Sequence, residues 1–180
     1  MHKETIKLGV IYGIFSIVLT TITAYISPKS IMSLTHWSTI IAWIALIGFG
    51  YLGAKKARER KGGFIPFGEA LVPSFLTIAI GSLISSLFMY ILVNFINPDL
   101  IAIMQEAALE MSDGMIDLMG GTEEMKLQAR EKAEQDQAGV NPFGLGTILL
   151  NYVVSLVFPL LPIAAIIAAI VKKNEPMPVV

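Results

Sequence analysis

Cysteine is absent from the 180 residues, and histidine occurs only twice. The first absence excludes disulfides and thiol catalysis, and says nothing of compartment. His2 and His36 stand far apart, with no cluster of ligand residues beside either. Neither reads as catalytic or metal-binding. Charge is also scarce. Only 15% of residues are Asp, Glu, Lys or Arg, against roughly 25% in soluble domains. The net charge of −1 supplies no global field to draw nucleic acid or an acidic partner. No G-x-S-x-G, H-E-x-x-H or Walker motif occurs. No enzymatic activity and no cofactor are therefore expected.

Apolar residues fill the space that charge leaves. They make up 54% of the chain, and the mean hydropathy is +0.69. Four runs are long enough to cross a bilayer, which takes about 20 mostly apolar residues. They cover 8–26, 37–54, about 70–96 and about 147–171. The first run is longer than the apolar part of a signal peptide, and no A-x-A site follows it. In lipid every backbone N–H and C=O needs a partner within the segment, so each run is expected to be helical. The fold class is thus an all-α membrane protein, a four-helix bundle forming one membrane domain.

The distribution of charge predicts orientation. Lys55, Lys56, Arg58, Arg60 and Lys61 make the short connection between runs two and three the most basic segment in the chain. Such short basic loops stay in the cytoplasm. Lys3 and Lys7 before run one, and Lys172 and Lys173 after run four, point the same way. Four crossings put both termini on that side by parity. The basic loop also suits anionic lipid head groups, at about 1 kcal/mol per basic residue near the surface. It lacks the larger basic surface and stacking aromatics that nucleic acid would need.

The connection over 97–146 carries ten acids against three bases and is expected outside. It is too long for an idle loop, and it reads as a helical hairpin. Asn97 and Pro98 suit a helix start, and Gly120-Gly121 a helix end. Thr122 caps a second, strongly polar helix. Gly139, Asn141, Pro142 and Gly144 then turn the chain into run four. Met104, Met111, Met115 and Met119 recur near helical spacing in the first helix. Their spacing of seven, four and four, without nearby histidine, argues against copper(I). Adaptable packing against core, membrane surface or a protein partner is the better reading.

No ionisable residue lies deep in the four runs, where transporters and pumps mark their pathways. Asn94 and Asn151 should lie at similar depth and could bond across the bundle, most simply as structural glue. Gly9 and Gly13, and Thr77, Gly81 and Ser85, form small-residue stripes for close helix contact, within one chain or between copies. Pro73, Pro159 and Pro162 should kink their helices or free carbonyls. Glu69 stands at the inner mouth of run three. It suits the first turn of a helix and can pair with the basic loop; a gating or ligand-binding role is the alternative.

The N-terminal "KLGVIYG", the basic "KKARERKGGFIPFGEAL", the exit "INPDL" and the acidic helical loop recur together in one known family. On these features the chain resembles the membrane-protein family called domain of unknown function 4199. The resemblance implies a small bacterial inner-membrane protein with four spans. It implies no activity and brings no catalytic residues. The expected function is a non-enzymatic scaffold or regulatory module, embedded in the bilayer and acting through the outer hairpin on a protein partner. A homo-oligomer is possible. The alternative is a small transporter or channel subunit.

Overall fold

The computed structural model describes residues 2–31, 37–137 and 142–174. Among these residues the chain forms helices and no strand. Helix α1 is His2–Ile26, α2 is Trp37–Arg60 and α3 is Phe67–Ile91, continued by a π turn over Leu92–Ile96. Helices α4, Leu100–Leu118, and α5, Glu123–Gln137, follow. Helix α6, Leu145–Ser155, then runs through a π turn, Leu156–Leu160, into α7, Leu161–Val171. Four continuous helical stretches are long and apolar enough to cross a membrane: Lys3–Ile26, Trp37–Arg60, Phe67–Ile96 and Leu145–Val171. The protein is an all-α, multi-pass membrane protein.

Helix α3 is the hub. It packs against α1, α2, α6 and α7, while α2 bridges α1 and α7. Lipid tails are as apolar as leucine, so close packing rather than the hydrophobic effect must hold such helices together. Small residues permit that approach. A Cβ built on Gly9 or Gly13 of α1 would come within 2.8 Å of the Cβ of Ile80 or Ile84 of α3. One on Gly53 of α2 would run into Thr77, and one on Gly81 of α3 into the ring of Tyr12. Both small-residue stripes thus serve contacts within the chain.

Three buried clusters stack along the bundle. Ala54, Ala57, Ile65, Ala70, Ile167 and Val171 close one end. Tyr12, Leu46, Ile78, Leu160 and Ala164 fill the middle. Ala24, Leu92, Val93, Leu100 and Met104 close the other end.

The prolines divide in their effect. Pro73 sits inside α3 without interrupting it, and the Thr77 hydroxyl donates to its carbonyl at 2.8 Å. Pro159 lies in the π turn of the fourth span, and Pro162 opens α7. There the missing N–H groups are absorbed by a local widening of the helix.

The connections follow local chemistry. Lysine and arginine favour helix, and cations suit a helix C-terminus, so α2 continues through its basic residues to Arg60. Gly62 and Gly63 then take φ of +76° and +92°, which only glycine adopts without strain. Helix α4 begins at Leu100, after a turn at Pro98-Asp99, rather than at Pro98 itself. It ends in a Schellman motif. Gly120, at φ +74°, donates to the Asp117 carbonyl at 3.0 Å, and Gly121 donates to the Ile116 carbonyl at 2.8 Å. The Thr122 hydroxyl then accepts from the Met125 N–H at 3.4 Å, which starts α5. His36, Gly139 and Asn141 lie outside the described residues.

Candidate functional site

Contacts sort the connections onto two ends of the bundle. At the basic end, Glu4 of α1 pairs with Lys56 at 3.8 Å and with Arg60 at 3.5 Å. The guanidinium of Arg58 donates to the Val171 carbonyl at 3.2 Å and so caps the C-terminus of α7. Ile65 and Lys173 exchange two backbone hydrogen bonds, of 2.8 and 2.9 Å. The start of α1, the 61–66 connection and the end of α7 therefore share one face. Four of the five basic residues from Lys55 to Lys61 have partners within the chain; the fifth, Lys55, is half-buried.

Glu69 lies on the first turn of α3 and forms an ion pair with Lys61. Pro66, before that helix, offers no side-chain cap. Both charged groups are about half exposed, where such a pair contributes little net stability. They border an open groove of about 510 Å³ whose other walls are Phe64, Pro66, Lys173 and Asn174. The Lys173 ammonium stands 5.1 Å from the centre of the Phe64 ring, a cation–π distance. Ile65, which lines the groove, belongs to a buried apolar cluster with Ala70, Ile167 and Val171. Glu69 thus faces a surface groove.

At the acidic end, Lys29 reaches α4 and pairs with Glu106 at 3.4 Å and Glu110 at 3.1 Å. Hydrogen bonds to those carboxylates raise its pKa. The first two turns of α4 are fixed to the bundle, with Leu100, Met104 and Ala107 buried. Met104 is only 3% exposed, among Ala24, Leu92 and Val93. It therefore leaves the set of candidate partner residues, because it packs on the bundle before α4 projects beyond it. Met111, Met115 and Met119 are 37%, 55% and 82% exposed. Leu118, at 89%, joins them. It falls in the same apolar row, seven residues after Met111.

Helices α4 and α5 are linked by charge. Arg130 pairs with Asp113, and Lys126 pairs with Asp117 at 2.7 Å while also holding Glu123 on its own helix at 2.7 Å. The Arg130 guanidinium beside Asp113 holds that carboxyl below the usual carboxylate range. The hydrogen bonds that the Lys126 ammonium donates to Asp117 and Glu123 push its pKa up.

Asn94 and Asn151 do not pair. The Asn94 amide nitrogen donates to the Tyr90 carbonyl and to the Phe143 carbonyl, both at 2.9 Å. It thereby ties the end of the third span to the approach to α6. Asn151 lies on the exposed face of α6. Its neighbour Tyr152 makes the cross-helix bond instead, donating to the Ala79 carbonyl at 3.0 Å. One step along a helix turns a side chain by about 100°, so matching depth was not matching direction.

Among the described residues no group of three or more His, Asp or Glu is placed to hold a metal ion. No curated protein and no solved structure matches the chain. A family model described as "Protein of unknown function (DUF4199)" matches residues 7–173, nearly the whole length, and the chain belongs to that family.

Proposed function

We propose that the protein is a non-enzymatic scaffold or regulatory module of the bacterial inner membrane, with both termini in the cytoplasm. Its far half of α4, on the outer side, engages a protein partner. One observation carries this reading. Met111, Met115, Leu118 and Met119 remain exposed on a helix whose first half is packed on the bundle and braced by Lys29. A contiguous apolar row outside the spans, rimmed by acids, is the usual mark of an interaction surface. Methionine suits it, because its flexible thioether adapts to varied shapes. The positive-inside rule supports the orientation, since the basic groups gather at one end and the acidic helices leave the other.

The middle of the bundle argues against the transporter alternative. Tyr12, Leu46, Ile78, Leu160 and Ala164 pack together at mid-span, where a substrate path would need polar or charged lining.

The test is photo-crosslinking in native membranes. A photo-reactive amino acid replaces Met115 or Leu118, and adducts are identified by mass spectrometry. One protein captured at both positions, and not from a lipid-facing control at Ile44, is the expected result. Adducts to lipid alone, or to a second copy alone, would overturn the proposal.

A further inference from the structure

The groove at the basic end is built from groups that this proposed function does not use. It has two ammonium groups, Lys61 and Lys173, one carboxylate, Glu69, and one aromatic face, Phe64. At about 510 Å³ it falls within the size of small-molecule sites, roughly 300–1,000 Å³. It also sits at the level where two spans meet water. Helix α3 enters the apolar region directly after Pro66, and α7 leaves it just before Lys173. Phe67, next to Pro66 on α3, and Ile170, three residues before Lys173 on α7, are exposed apolar side chains on those two helices.

We propose that this groove binds the head group of a phospholipid bearing a primary ammonium, of the phosphoethanolamine class. The phosphate lies between the Lys61 and Lys173 ammonium groups. The lipid ammonium donates to the Glu69 carboxylate. The acyl chains follow Phe67 and Ile170.

The carboxylate decides the class. Two cations and one anion leave the site net positive, which taken alone favours an anionic lipid. However, such a lipid, phosphatidylglycerol for example, offers Glu69 only neutral hydroxyl donors, weaker than the Lys61 ammonium. Glu69 then keeps Lys61, and Lys173 alone faces the phosphate. A head group with its own ammonium takes the place of Lys61 beside Glu69 and frees Lys61 for the phosphate. Every charge is then matched by a charge-assisted hydrogen bond. A choline head group carries the same charge without an N–H, so it cannot make the bond to Glu69. Whichever leaflet meets the basic end would supply the lipid.

The full-length protein, purified in micelles and titrated with dioleoyl phosphatidylethanolamine, phosphatidylcholine or phosphatidylglycerol, is read by native mass spectrometry. Loss of one charged hydrogen bond corresponds to about tenfold in affinity. The unmodified protein should hold the ethanolamine lipid about tenfold better than the choline lipid. Glu69→Gln keeps the shape and should erase that preference. Lys173→Ala should weaken both lipids together. Melting temperatures of both variants report whether the fold is kept. A preference for phosphatidylglycerol, or an unchanged preference in Glu69→Gln, overturns the proposal. Displacement of the lipid by an equal concentration of soluble glycerophosphoethanolamine overturns the membrane as the source.

Discussion

Individual glycines carry much of the packing, and their roles differ sharply. Gly53 lies so close to Thr77 and the Pro73 carbonyl that no side chain fits between α2 and α3. We expect Gly53→Ala to destabilise the protein by about 1–3 kcal/mol, the range for overpacking a tight contact. Gly48, on the same helix, has no atom within 4 Å of its would-be Cβ. Gly48→Ala should leave stability unchanged or raise it, since alanine favours helix. Thermal melting in one detergent compares the two; equal losses would contradict the assigned contact. Asn94 gives a second case. Its two carbonyl partners predict that Asn94→Leu costs roughly 0.6–2 kcal/mol, the range for polar contacts between membrane helices. Asn151→Leu, on the exposed face, should cost nothing measurable in the same melt. Composition showed these small and polar residues to be present. Their partners depend on helix rotation, and a run apolar on all sides carries no period to set rotation. Met104 shows the same gap, since its stripe was plain while the point where α4 leaves the bundle was not.

At the scale of elements, the helices were legible because lipid leaves the backbone no alternative. The end of α4 was legible because a pair of glycines has one ready use there. The long-range pairs Arg130–Asp113 and Lys29–Glu110 were not, because nothing in the spacing of an acidic loop selects which acid meets which base. The first of these makes the link between α4 and α5 sensitive to acid. The carboxyl of Asp113 has a lowered pKa in the folded protein. Its contribution is therefore complete above the ordinary aspartate value, about pH 4, and is lost as pH falls through the lowered folded value. The chain has no cysteine, so spin labels can be placed without background at Ser112 and Glu131. The distance distribution between them should broaden below that range, and at pH 7 in Arg130→Gln. An unchanged distribution in both conditions would show that the pair does not link the helices. High salt should act in the same direction, because the pair is exposed.

For the whole molecule, charge placement carries the orientation. An impermeant thiol reagent added to intact cells should label Ser112→Cys, at the acidic end, and leave Glu59→Cys, at the basic end, unlabelled until the membrane is opened. Opposite labelling would invert the proposed topology. Glu59 suits the inner position better than the neighbouring glycines, whose positive φ angles resist replacement.

The two hydrogen bonds between Ile65 and Lys173 also impose an order in time. Ile65 is fully buried, and its backbone partner is synthesised long after it, behind the last span. Until that span has entered the bilayer, the N–H and C=O of Ile65, in the turn between the second and third crossings, have water as their only partner in place of Lys173. The nascent protein must therefore wait for its fourth crossing before the basic end can close. A ribosome stalled before Lys173 would leave that end open to proteolysis, and release of the finished chain would seal it.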